Sequence, residues 1–254
     1  LVGSEMCIRD RNTWFRFRLP LEAKPHHHVF SWEPRLDPAW QLALDRAGFR
    51  SALTFKTAVF DTPDLGPALV TLSSHADKAR KEGFYFRNFG ESSDAARDLR
   101  LTFEFSHVCF QGSDLFEPID FNTYQSAFSS HLSAGAAKTS FFLCDSTGHE
   151  VGFIFAFIES GYLIIKTIYV LPTLAPRSAG RWAASAALLH KAIANGMSLN
   201  VRGAVAAMIR TDATSRFLVR WQRWMKPELR QYTLMARGSD TLRDSSRLDL
   251  ETAI

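Results

Sequence analysis

Cysteine is scarce in this 254-residue chain: Cys7, Cys109 and Cys144 are odd in number and lack CxxC spacing. That excludes a disulfide framework and a zinc ribbon, and it predicts a reducing, cytoplasmic setting. Long apolar runs are also missing. The best candidate, Val151 to Leu171, is cut by Glu159, Ser160, Gly161 and Lys166, so it falls short of the roughly 18 uninterrupted apolar residues a bilayer span needs. No membrane segment is expected. Charge of a dominant sign is lacking too, with 30 Lys and Arg against 26 Asp and Glu and a net charge of +4. Metal-ligand spacing is absent: alternation along a strand turns His27 away from His26 and His28, and no carboxylate or Cys sits at a helpful spacing to complete a set. No metal is expected, and His107 and His131 read as single helix residues.

What is present is a chain 46% hydrophobic and 22% charged, which predicts a globular protein with a proper core, one large domain or two smaller ones. One segment mixes bases with stacking aromatics, Arg220-Trp221-Gln222-Arg223-Trp224. On a helix, however, Phe217, Trp221 and Trp224 form one apolar stripe beside a solvated Arg face. Nucleic acid is therefore not the expected partner.

The most informative stretch runs from Gly148 to Gly196. Tyr162 to Leu171 is β-branched, aromatic and nearly continuous, as a buried central strand requires. After a Pro-containing turn, Arg177-Ser178-Ala179-Gly180-Arg181-Trp182 opens a helix rich in alanine and leucine, which Asn195-Gly196 is expected to stop. A glycine at a helix start lets a ligand approach closely. The unpaired N–H groups and the positive dipole end there suit a multiply charged anion such as a pyrophosphate.

These residues resemble the GCN5-related N-acetyltransferases, whose core motif is a strand ending in Val-x-Pro followed by Arg or Gln-x-x-Gly-x-Gly or Ala at a helix start. Val170-Leu171-Pro172 and Arg177 to Trp182 carry the likeness, although Pro172 lies about two residues further from Arg177 than in the family pattern and Trp182 replaces the small residue. The resemblance implies that the backbone at Ile168 and Val170 binds the pantetheine arm of acetyl-CoA. It assigns the pyrophosphate to Arg177, Ser178, Ala179, Gly180, Arg181 and Trp182. It also implies an α/β (α+β) fold: a mixed, mostly antiparallel central sheet flanked by helices, the acyl-CoA N-acyltransferase fold.

The order of the remaining segments fits that expectation over residues 83–238. Gly83 to Gly90 resembles the first strand, Ala95 to Phe110 and Asn122 to Leu132 the early helices, and Thr139 to Cys144 with Val151 to Ile158 a hairpin turning at Asp145–Gly148. Val201 to Arg210 reads as a strand, Asp212 to Met225 as a helix and Leu229 to Arg237 as a closing strand. Residues 1–11 read as a non-native junction. Residues 12–66 resemble the C-terminal half of a truncated first domain, with strands at Trp14–Leu19, His28–Trp32 and Ala52–Phe60 and a helix capped by Asp37 and Pro38 and ended by Gly48. Asp61 to Pro67 reads as a turn-rich connector, 67–82 as a linker with a short helix, and 239–254 as a mobile tail.

The resemblance implies attack of an amine, on a small molecule or a protein, upon the thioester of an acyl-CoA. In the family a helix tyrosine often protonates the departing thiolate; the matching position here is Val219, so Tyr232 on the closing strand is the candidate acid. Glu159 and Glu104 are candidate bases, and alternation sets Lys166 on the opposite side of its strand from Thr167. Two readings stay open: an N-acyltransferase, and a catalytically inactive module of the same fold with a structural or ligand-sensing role.

Overall fold

A computed structural model describes residues 19–20, 30–31, 33, 38–90, 95–111, 116, 118–133, 138–171, 180–210 and 227–236. The expected helix at 212–225, the stripe of Phe217, Trp221 and Trp224, and the segments 1–11 and 239–254 lie outside these residues, as do His26, His27 and His28. Eight strands form one sheet: β1 (Leu19–Pro20), β2 (Arg50–Asp61), β3 (Tyr85–Asn88), β4 (Phe141–Cys144), β5 (Glu150–Glu159), β6 (Tyr162–Val170), β7 (Gly203–Arg210) and β8 (Glu228–Ala236). Their spatial order is β1-β8-β2-β7-β6-β5-β4-β3. Among the described residues only β6 and β7 run parallel, joined by a crossover helix; the other ladders are antiparallel. This is the expected fold class.

Period-two alternation gives the sheet two buried faces. Ile154 and Ala156 of β5 point to one face, and Phe153, Phe155 and Phe157 to the other. The first face is covered by α2 (Thr62–Lys81) through Leu65, Ala68 and Leu72, and by α5 (Gly180–Ser198) through Ala184, Leu188, Ala192 and Ile193. Alanines at 183, 184, 186, 187 and 192, none more than 1% exposed, let α5 lie close to the sheet. The second face carries α3 (Ala95–Phe110) and α4 (Phe121–Ser133), and its core is aromatic: Phe105 stacks 5.9 Å from Phe153, and Phe128 meets Phe155 edge-on at 6.0 Å.

Three local expectations are corrected. Asp61 to Pro67 is not a loop, because α2 starts at Thr62 with Pro63 in its first turn, where a missing N–H costs nothing; Pro67 is absorbed inside the helix. Asn195-Gly196 does not stop α5. Gly196 is instead a packing glycine whose added Cβ would stand 3.1 Å from Leu163 Cδ2, and the helix runs on to Ser198, just before Asn200, whose φ of 57° places it in the left-handed region. There the N–H groups of Val201 and Asn200 donate back to the carbonyls of Gly196 and Met197. Finally, Phe30 and Ser31 lie in a turn rather than a strand, closed by the Glu33 N–H donating to the Phe30 carbonyl.

The α1 helix (Pro38–Arg46) and its stop at Gly48 (φ 84°) follow the sequence reading. The strand after it does more than finish a separate unit. β2 hydrogen-bonds to β7 on one edge and β8 on the other, so it sits inside the sheet that residues 83–238 build. Gly203 permits this contact, since a Cβ there would fall 2.0 Å from the Phe60 carbonyl oxygen.

Candidate functional site

The parallel pair β6 and β7 is laddered for only four registers, Tyr162↔Gly203 to Ile165↔Ala206, yet β6 continues to Val170 and β7 to Arg210. Both strands change register where they part. Against β5, Phe155 pairs with Thr167 and Ala156 with Ile165, so Lys166 is an extra residue in β6. Against β2, Lys56 pairs with Ile209 and Ala58 with Ala206, so β7 has two residues, Ala207 and Met208, opposite Thr57 alone. A bulge bends its strand and steepens the local twist. Two bulges at one level, on adjacent parallel strands, open a wedge whose walls are the final residues of β6 and β7.

Helix α5 begins at the mouth of that wedge. Its C-terminal Gly196 packs on Leu163, near the start of β6, and a crossover helix runs back along the strand it follows. Gly180, its first residue, therefore sits at the Val170 end. Ile168 and Val170 lie on the parted part of β6, and Gly180 at the helix start; Arg177, Ser178 and Ala179 lie outside the described residues, while Arg181 and Trp182 belong to the first turn of α5.

The bulge overturns the expected separation of Lys166 from Thr167. Thr167 is opposite Phe155, which belongs to the aromatic face, and the Lys166 ammonium lies 5.9 Å from the Phe128 ring centroid on that face. An inserted residue breaks the alternation, and both side chains turn toward α4.

The candidate acid and bases are spread apart. Tyr232 is in β8 and 2% exposed, on the cross-strand row with Phe55 and Arg210; its phenol donates to Glu33 Oε1 at 2.8 Å. Glu33, 8% exposed, also accepts from Arg230 at 2.6 Å, and the Arg230 Nε donates to Glu228 at 2.8 Å. Burial first, and the Glu33 charge second, push the Tyr232 phenol well above its ordinary range, so it stays protonated. Glu159 stands at the closed end of the wedge, opposite Tyr162, and accepts the Ser31 N–H at 2.7 Å. Glu104 is exposed on α3. Each ring nitrogen of His107 lies near a backbone carbonyl, Phe103 at 3.0 Å and Ile119 at 3.1 Å, which fixes the ring between α3 and the segment before α4.

Neither the paired bulges nor the buried Glu33, Arg230 and Tyr232 cluster is visible in the sequence. The first depends on registers between strands distant in the chain, and the second joins residues almost two hundred positions apart. Among the described residues no group of three His, Cys, Asp or Glu is placed to hold a metal ion, and no helix is long and apolar enough to cross a membrane.

No protein-family model and no curated protein sequence matches the chain. Solved structures do. A GCN5-related N-acetyltransferase from Sphaerobacter thermophilus superposes with a TM-score of 0.55 at 15% identity, over 79% of this chain and 56% of its own. A GCN5-related glucosamine N-acetyltransferase region of a fungal multi-domain GH3 β-N-acetylglucosaminidase gives 0.51 at 11% identity, over 78% of this chain and 22% of its own. The chain thus spans about half the length of the first and about a fifth of the second. At such identities the likeness speaks to architecture, and in architecture this chain has the fold of the GCN5-related N-acetyltransferases.

Proposed function

We propose that the chain binds an acyl-CoA, in the first instance acetyl-CoA, and transfers the acyl group to an amine on a small molecule or a protein. The observation that carries this is the strand pair that stays laddered to Ile165 and Ala206 and then parts, with the start of α5 at the same end. A parted parallel strand offers backbone N–H and C=O groups to a ligand that itself contains amides, as pantetheine does, so the arm takes the place of the neighbouring strand. In this reading Ile168 and Val170 supply those groups. Arg177, Ser178, Ala179, Gly180, Arg181 and Trp182 hold the pyrophosphate through the helix-start N–H groups and dipole. The amine nitrogen attacks the thioester carbonyl, the C–S bond breaks, and the departing thiolate takes up a proton.

Calorimetric titration of the full chain with acetyl-CoA tests the site. Binding in a range of roughly 1–100 µM is expected. Gly180→Asp is expected to weaken it about tenfold or more, because the carboxylate crowds and repels the pyrophosphate. The same substitution suits a helix start, so thermal stability should hold or rise slightly and a folding defect cannot explain the loss. Unchanged affinity in the variant would remove Gly180 from the cradle; absence of binding by the parent chain would remove the proposal.

A second reading, a fold-only module that binds without transfer, is favoured by one observation: the Tyr232 phenol is committed to Glu33. By strand spacing, Tyr232 also lies about 10 Å from the β7 backbone, two strands away. Tyr232→Phe separates the roles. We expect it to cost about 1–3 kcal/mol of stability, through a buried carboxylate that loses one donor, while changing kcat less than tenfold. A hundredfold drop in kcat with normal stability would instead make Tyr232 the acid.

The same proposal extends to organisation and location. Residues 12–66 are read as the end of a preceding domain that lends β2 to the sheet of 83–238, with 67–82 as the join. A cytoplasmic setting accords with Cys144, a buried free thiol.

A further inference from the structure

Within the reading of the wedge as an acyl-transfer site, one short turn bears on how an acceptor reaches it. The Glu33 N–H donates to the Phe30 carbonyl at 3.1 Å, which closes a turn with Ser31 at its second position. That turn is tied down at two distant strands. The Ser31 N–H donates at 2.7 Å to Oε1 of Glu159, the last residue of β5, while Glu33 Oε1 accepts from Arg230 at 2.6 Å and Tyr232 at 2.8 Å, both in β8. Between β5 and β8 lie β6, β7 and β2. The turn is therefore a strap across the two strands that part.

Both anchors are on the aromatic face. Alternation sets Glu159 with Phe153, Phe155 and Phe157, and Arg230 and Tyr232 stand opposite Thr57 and Phe55, which share the face of Val59. Phe30, 1% exposed, is the peg between them. It belongs to one buried cluster with Phe157, Ile164, Val205 and Val59, a row that crosses four strands just below Ile165↔Ala206, where the β6 and β7 ladder ends. The other face is closed by α2 and α5, so an acceptor comes to the fork from the strapped side.

The two anchors are unequal. Glu33 is 8% exposed, and one of its oxygens holds two donors, a guanidinium among them. Glu159 gives Ser31 one oxygen, whereas its Oε2 is buried with no hydrogen-bond partner among the described residues. A buried carboxylate oxygen without a donor costs free energy that water would relieve. The Ser31 end is thus the weaker one, and Ser31 itself is exposed.

From this we infer that the strap is a gate on the acceptor side: it pivots on Glu33, lets go of Glu159 at Ser31 and withdraws Phe30 to admit a bulky amine to the fork. A small nucleophile passes without the movement. The strap takes no part in bond making.

Ser31→Pro is the specific probe, because proline suits the second position of a turn and removes the one N–H that Glu159 accepts. Ser31→Ala keeps that N–H. Hydrogen exchange of the full chain, followed by NMR without ligand, reads the lifting directly. Corrected for intrinsic rates, the Ser31 amide is expected to exchange about tenfold faster or more than those of Ile164 and Val205, which open only with the sheet. Acetyl transfer is then compared for tyramine, a bulky amine, and hydroxylamine, a small one. Ser31→Pro should raise kcat/KM for tyramine about tenfold by enlarging the open fraction, change hydroxylamine less than about twofold, and leave Ser31→Ala like the parent. Exchange of Ser31 in step with the sheet amides, or transfer to tyramine that Ser31→Pro lowers or leaves as it was, overturns the gate. Acetyl-CoA binding is measured separately by calorimetry. If the parent chain fails to bind it, the reading of the wedge as a cofactor site fails first; if it binds and Ser31 stays as protected as the sheet, only the gate falls.

Discussion

A chain that starts at residue 83 and ends at 238 will not fold, although those limits enclose every segment that resembles the acyltransferase core. The missing piece is β2, which lies third in the sheet and separates β7 from β8. Phe55, Val59 and Phe60 are 3%, 6% and 0% exposed, and Ala58 and Thr57 are wholly buried. Burying three such apolar side chains is worth roughly 1.5–3 kcal/mol each. Two ladders of backbone hydrogen bonds add about 0.5–1.5 kcal/mol net per bond. Together these rival the roughly 5–15 kcal/mol that keeps a domain folded. β7 and β8 cannot close over the gap, since their facing edges are registered to β2 and β7 is bulged against Thr57. Removing 62–81 as well strips Leu65, Ala68 and Leu72 from the face that α5 shares. The expected result is a far-UV circular dichroism melt without a cooperative transition for 83–238, against a sigmoidal one for 38–238. A cooperative melt of the shorter chain, within a few degrees of the longer one, would mean that β2 is not a structural member of this sheet.

That boundary shows which physics the sequence carries. Period-two runs and turn residues locate the hairpin of β4 and β5, where Gly148 adopts a φ of 90°, and that of β5 and β6, where Ser160 and Gly161 are both left-handed as the tightest hairpins demand. Alanine-rich periodicity marks α5, and Pro38 with Gly48 brackets α1. All these signals are local. Which strand lies beside which is decided by burial across the whole sheet, and nothing within Arg50–Asp61 says that its edges belong to β7 and β8. The wedge was legible in part: a continuous strand followed by a glycine at a helix start points to it. Its bulges were not, because a bulge is a mismatch between two strands and Lys166 looks like any alternating residue until Phe155 and Ala156 are seen to pair with Thr167 and Ile165. Glycine misled in one place and guided in another. Gly196 resembles a stop signal but serves close packing on Leu163, whereas Gly180 opens its helix as the reading required.

Arg87→Met should be the most damaging single substitution at the far edge of the sheet. Arg87 lies on β3, the last strand, and its guanidinium meets Asp98 of α3 at 2.9 Å and Glu150 of β5 at 3.0 Å, stacking 4.4 Å above the Phe142 ring. Asp98, 2% exposed, also accepts the Gly90 N–H at 2.8 Å, while Glu150 has a second cation in Arg97 at 3.2 Å. The two carboxylates raise the Arg87 pKa against the opposing effect of burial, so the charge is permanent. Methionine preserves much of the stem and its contact with Phe142 but takes from the buried Asp98 carboxylate the cation that faces it. Breaking one side of a buried pair costs about 3–5 kcal/mol. For a chain of this size that is a fall in Tm of roughly 6–20 °C. Glu150 should matter less, because Arg97 remains to it. Arg87→Lys, a point cation without the planar fork, is expected to keep one carboxylate contact and lose an intermediate amount. Combining Arg87→Met with Asp98→Asn removes both charges, so the double variant should be more stable than the sum of the two losses predicts. Thermal melts of the four proteins give that coupling. Strict additivity would show that Arg87 and Asp98 do not act as a pair, and that another contact holds α3 to this edge.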